Sequence, residues 1–108
     1  MKIIRNKFIP FPGYKAINLF GVLFVRPKAV IDEVTLNHES IHSEQWRELL
    51  YVGFLLWYAI EYIIRLIRFR KHHLAYRRIS FEREAYAHQS NLEYVSKRKP
   101  YAFVKYMG

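Results

Sequence analysis

The residues best suited to chemistry lie in one short run, His38-Glu39-Ser40-Ile41-His42. Two histidines four apart fall on one face of an α-helix about a turn from each other, so both imidazoles can reach a single ion. Zinc accepts nitrogen ligands in tetrahedral sites, and its catalytic centres keep one position open for water. Glu39 lies beside the pair, where its carboxylate can take a proton from a water that the metal activates and later return it. This is the physical content of the HExxH pattern. The bland alternative is a polar helix face with two ordinary histidines. A chance match arises on the order of once or twice in a hundred shuffled chains of this composition, which favours the metal.

A zinc site needs a third protein ligand. The chain contains no cysteine, so the candidates are Glu82, Glu84 and His88, in the later segment Ser80-Phe81-Glu82-Arg83-Glu84-Ala85-Tyr86-Ala87-His88. If this segment is helical, Glu82 shares its stripe with Ala75, Ile79, Ala85, Tyr86 and Gln89, mostly apolar or small. Glu84 shares a polar stripe with Arg77, Ser80, His88 and Asn91. Glu82 is therefore expected toward the core and the metal, and Glu84 toward solvent. A carboxylate on a buried face must bind a metal or find a cation, and the competing reading pairs Glu82 with Arg47 or Arg65. Gln45 is placed to hydrogen-bond near the site. Tyr86, four after Glu82, is placed to touch a ligand or to steady an oxyanion, with core packing as its alternative.

These residues need elements to position them. Residues 8–13, Phe-Ile-Pro-Phe-Pro-Gly, read as an extended, turn-rich opening that excludes a helix. Residues 14–26 read as a strand bent at Gly21 or a short hairpin around Asn18–Gly21, closed by Pro27. Asp32 is a good N-cap and Glu33 suits a helix N-terminus, so the first helix is expected from there through the HESIH run to about Tyr51. Gly53 marks the expected bend before an apolar helix over about 54–70. Arg68–His73 is then a connection or a helix end, and a last long helix is expected over about 74–97. Pro100 ends it, and Tyr101–Tyr106 reads as a tail packed by aromatics. The fold class expected is α+β and mostly helical, one minimal zincin-like domain over residues 1–108, with an N-terminal strand or hairpin packed on about three helices.

At 108 residues the core must be small, and disulfides are excluded. Aromatic residues are 18% of the chain, enough to supply much of the burial. Trp46, Trp57, Tyr58 and Tyr62 read as core or as a surface anchor. The absence of cysteine fits a reducing compartment, and Met1–Lys7 has no apolar core of signal-peptide length, so the expectation is a cytoplasmic protein, free or held at a membrane. Leu49–Ile60 is an uncharged apolar run of 12 residues, short of the ~20 of a spanning helix, which favours a buried core helix over an interfacial or spanning one. The net charge of +9 invites an anionic partner. Arg65, Arg68, Arg70, Lys71, Arg77 and Arg78, with Lys97, Arg98 and Lys99, offer a grip on phosphates or on an anionic membrane surface. No nucleic-acid motif accompanies them, so nucleic acid ranks below a membrane surface as a partner.

Taken together, the two histidines with Glu39 and the later glutamate resemble the gluzincin zinc metallopeptidases. The layout is most similar to the single-domain minigluzincins and to small bacterial proteins carrying a strand segment, HExxHxxQ and a later FEREAY. Here these are His38 to His42 with Gln45, then Phe81 to Tyr86. The resemblance implies peptide-bond hydrolysis at zinc held by His38, His42 and Glu82, with Glu39 as the catalytic base; Tyr86 joins Glu39 as a catalytic candidate through its spacing from Glu82 alone. In the class the later motif reads Glu-x-x-Ala-Asp; alignment on Glu82 puts Tyr86 in the place of the aspartate that braces a zinc-bound histidine, and a shifted match selects Glu84. The resemblance also implies that residues 19–26 pair with an extended substrate as a sheet edge. The competing readings are a non-enzymatic basic protein on nucleic acid or an anionic membrane, and a zinc-stabilised fold without activity.

Overall fold

The structure is a computed structural model, and it describes residues 2–8 and 16–107. Most of the turn expected over 8–13 lies outside the described residues. Three short strands, Lys2–Arg5 (β1), Ala16–Leu19 (β2) and Val22–Val25 (β3), form a sheet in the order β1-β3-β2. Helices follow over Glu33–Glu48 (α1), Val52–Phe69 (α2), His72–Arg78 (α3), Ser80–His88 (α4) and Tyr94–Lys97 (α5), then a 3-10 turn over Ala102–Tyr106. The fold is α+β and mostly helical, as expected, with the histidine run on the first long helix.

The hairpin reading of residues 14–26 holds for β2 and β3. Its turn places Phe20 and Gly21 at φ of 55° and 81°, the two left-handed residues of a tight hairpin loop. Asn18 Oδ1 accepts from the Gly21 N–H at 3.1 Å and closes the loop. β1 was not foreseen. It pairs in parallel with β3, so β3 is the central strand, and its Leu23 and Val25 are fully buried. A central strand has no free edge. The expectation that residues 19–26 pair with a substrate is therefore corrected: the strand beside the histidine helix with an edge is β2, which among the described residues pairs only with β3.

α1 begins as the sequence implies, with Asp32 accepting from the Thr35 N–H at 2.7 Å. It ends at Glu48, three residues before the expected Tyr51. The Leu50 N–H bonds to the Arg47 carbonyl and the Tyr51 N–H to the Trp46 carbonyl, which is the Schellman closure of a helix. Leu50 and Tyr51 both take positive φ, and the next helix leaves at 112°. The bend falls here and not at Gly53, which already lies in the first turn of α2.

α2 is a core helix on one side only. Phe54 and Glu61 are buried, and Trp57, Tyr58 and Tyr62 pack with Trp46, Ile79, Phe81 and Phe103 into an aromatic core. The other side is bare: Leu56, Ile60, Ile64 and Ile67 are exposed. No single described helix is long and apolar enough to cross a membrane.

The long helix expected over 74–97 is three pieces. It breaks at Ile79, whose ψ of 134° is extended. The Glu61 carboxylate of α2 reaches this break and accepts from the Ser80 N–H at 2.6 Å and its hydroxyl at 2.7 Å. A carboxylate at the positive end of α4 satisfies donors that a continuous helix would have kept internal. The aromatic tail is as expected: Phe103 is fully buried against Trp57 and Phe81.

Candidate metal centre

α1 buries Asn37, His38, Ile41, His42, Gln45 and Trp46, a stripe at helical spacing. α4 packs on it and buries Phe81, Glu82, Glu84 and Ala85. Asn37 ties the two helices by donating to the carbonyls of Gln89 and Asn91, at 2.8 and 2.9 Å.

This packing brings three of the foreseen ligands together. His42 Nε2 lies 3.1 Å from His38 Nε2 and 3.0 Å from Glu82 Oε1. His38 Nε2 lies 3.4 Å from the same oxygen. Four ligands held about 2.0–2.1 Å from an ion in a tetrahedron stand about 3.3 Å apart, so the triangle has the size such a site needs.

The other ring nitrogens fix what these atoms carry. Gln45 Nε2 donates to the Phe81 carbonyl and to Glu84 Oε1, both at 3.0 Å. Its Oε1 is thereby turned to His42 Nδ1 at 2.7 Å, so that nitrogen bears the hydrogen. Gln89 Oε1 lies 2.8 Å from His38 Nδ1, an oxygen placed to accept from that nitrogen. In the neutral rings both Nε2 atoms are then lone-pair acceptors, and they face each other and a carboxylate oxygen. Three acceptors in a dry site with no hydrogen between them require a cation. Without a metal the cation is a proton: burial lowers the His42 pKa, but Glu82 overrides it and carries it up to about 9. Burial likewise opposes ionisation of Glu82, and the two histidines hold it well below the usual carboxylate range. A proton sits in one contact of the triangle, whereas a metal ion satisfies all three corners.

Glu39 supplies a second observation. Its Oε2 is buried and has no hydrogen-bond partner. Ligand atoms of His38, Glu39 and His42 all lie within 4.8 Å of one another, so the group is able to bind a metal ion. Burial raises the Glu39 pKa, against the pull of the two histidines. The donor set therefore fits a metal with an adjacent carboxylate of raised basicity. The main chain at Glu39 is anchored to the sheet, where Asn18 Nδ2 donates to the Glu39 carbonyl and to Ser43 Oγ, each at 2.9 Å.

Tyr86 lies against the site, its ring edge-on to His38 at 4.5 Å. Its hydroxyl, however, meets the Tyr76 hydroxyl at 3.3 Å, and the Arg77 guanidinium lies over its ring. The tyrosine hydroxyl at the candidate ligand set is Tyr58, which donates to Glu82 Oε2 at 2.9 Å. Spacing along α1 and α4 gave no sign of Tyr58, because it comes from α2. Gln89 was within reach of the sequence, since it shares the Glu82 stripe.

Glu84 is a correction. It was expected to face solvent, and it is fully buried. The break at Ile79 and the end of α4 let the chain fold back over its polar side, where Tyr94 donates to Oε2 at 2.7 Å and Arg98 grips both oxygens. Arg98 also pairs with Glu48 at 2.7 Å. Glu84 is thus occupied by Arg98 and stands behind Gln45, one step away from the histidines. His88 is also away from the triangle, hydrogen-bonded to the Tyr106 hydroxyl at 2.7 Å. The cations proposed for Glu82 are engaged elsewhere, Arg47 with Glu44 and Arg65 with Glu61. Arg65 and Arg98 accordingly leave the set of surface cations read from the sequence. The chain matches no family model, and no curated protein or solved structure is significantly similar to it.

Proposed function

We propose that this protein is a zinc-dependent peptidase of the gluzincin kind, with His38, His42 and Glu82 holding the ion. The observation that supports this best is the convergence of three acceptor atoms beside the unpartnered carboxylate of Glu39. Two imidazoles and a carboxylate, with no thiolate, are a donor set that zinc accepts in catalytic sites. When bound, the ion supplies Lewis acidity to a water and to a substrate carbonyl.

The chain's own residues do the rest. Glu39, buried and basic, takes the proton of the attacking water and delivers it to the leaving amine. Gln45 and Gln89 hold the imidazoles in the tautomer that directs both Nε2 atoms inward, the bracing for which the motif has an aspartate elsewhere. Tyr58 holds Glu82 Oε2 and leaves Oε1 to the ion. The β2 edge, anchored to α1 through Asn18, offers its backbone to an extended peptide. Tyr86 lines the His38 side.

Metal analysis tests the reading. The purified protein is expected to hold one zinc per chain, His42→Ala and Glu82→Ala to lose it, and Glu39→Gln to keep it while losing cleavage of a peptide library. Absence of stoichiometric metal, or cleavage that survives Glu39→Gln, overturns the reading. Full metal with no cleavage by the wild type leaves a structural ion and removes the peptidase.

A further inference from the structure

The outer half of α2 is more apolar than the half that faces the core. Val52, Leu56, Ile60, Ile63, Ile64 and Ile67 fall within about half of the helix circumference, and all are exposed, Ile67 by 71%. The packed half carries Glu61, Tyr58, Tyr62 and Arg65 besides Phe54 and Trp57. Six large apolar residues, each more than half exposed, lie side by side along the helix, and a contiguous exposed apolar face of this kind marks a site of protein or membrane contact. Such a face is covered by something.

Charge selects the occupant. From Leu49 to Phe81 the only acidic residue is Glu61, and it is buried. Arg68, Arg70, Lys71, Arg77 and Arg78 are exposed at the C-terminal end of α2 and on α3, which packs against it. Arg68 and Arg78 both lie over the Phe69 ring, at 5.5 Å. A second copy would bring another +9 chain against this surface. An anionic bilayer offers hydrocarbon to the stripe and phosphates to the cations. Spanning is excluded by the packed half, which is committed to the core.

We infer that α2 docks in the plane of an anionic membrane surface, its isoleucine and leucine face sunk to the acyl boundary and its basic end on the headgroups. The test is co-sedimentation of the full chain with vesicles of phosphatidylcholine alone or with one-third phosphatidylserine. Binding is expected to the anionic vesicles and to fall as salt rises. Ile60→Asp with Ile64→Asp should weaken it at least ten-fold, and each of Arg70→Gln, Lys71→Gln and Arg78→Gln about five-fold. Because the chain lacks cysteine, Ile64→Cys carrying a polarity-sensitive dye reports the same contact without an introduced charge. The dye should shift to the blue with anionic vesicles, and a dye at Lys99→Cys should not. No binding at low salt, equal binding by the aspartate variant, or a dye shift that follows protein concentration without vesicles would overturn the inference; the last outcome assigns the face to a second copy.

Discussion

His42 carries opposing influences: burial disfavours its charge, and the Glu82 carboxylate beside it favours it more. The consequence is a stability that depends on pH differently with and without metal. In the metal-free protein the folded pKa, about 9, lies above the ordinary 6.5. The contribution of the His42–Glu82 contact is therefore complete below about pH 6.5 and is lost as pH rises through 9, on the order of 3 kcal/mol. The melting temperature of chelator-treated protein should fall over that window. On the proposed reading a bound ion takes the place of that proton and the fall should vanish, which thermal denaturation with and without added zinc checks. The same triangle was legible in the sequence, because helical periodicity alone brings His38 and His42 together and turns Glu82 inward. Glu84 was misread for a physical reason: its stripe is polar, but Arg98 folds over it from the later chain. Local spacing carries no information about a cation that arrives from a distant segment.

At the scale of elements, what holds the site is how helices stop. α1 closes with a Schellman motif whose left-handed position is occupied by Leu50, where glycine is the usual resident. Leu50 is 80% exposed, so its side chain contributes little packing in return. Leu50→Gly should relieve the strain and stabilise the protein by about 1 kcal/mol, and Leu50→Val should destabilise it, as read by urea unfolding. The stop at Ile79 has another cause, the Glu61 carboxylate of α2 at the first turn of α4. Neither stop carries the glycine or proline that marks such places in a sequence, and this is why the bend was expected at Gly53 and the last helix was read as continuous. The hairpin was legible, since Gly21 supplies its positive φ. The parallel pairing of β1 with β3 was not, because long-range pairing leaves no local mark on a four-residue strand.

Across the whole molecule, Arg98 fastens the late chain to both helices of the candidate metal site through Glu48 on α1 and Glu84 on α4. Replacing Arg98 by Met should cost about 3–5 kcal/mol, because a buried carboxylate is left without its cation. Acid separates this from a simple packing defect. Burial raises the Glu84 pKa, but the hydrogen bonds from Arg98, Gln45 and Tyr94 hold it below its ordinary 4.5. In the wild type its contribution is present above that value and is lost as pH falls further. In Arg98→Met the carboxyl gains by taking up a proton, so the stability gap between the two proteins should narrow on acidification, as parallel urea titrations from pH 7 to 4 measure. The Tyr58 hydroxyl on Glu82 has a reach of its own. It joins the candidate ion to α2, whose outer face is bare, so a tilt of that helix is a displacement at the carboxylate. Thermodynamic reciprocity then holds in both directions: whatever factor an occupant of the outer face imposes on the affinity for the ion, the ion imposes on the affinity for that occupant.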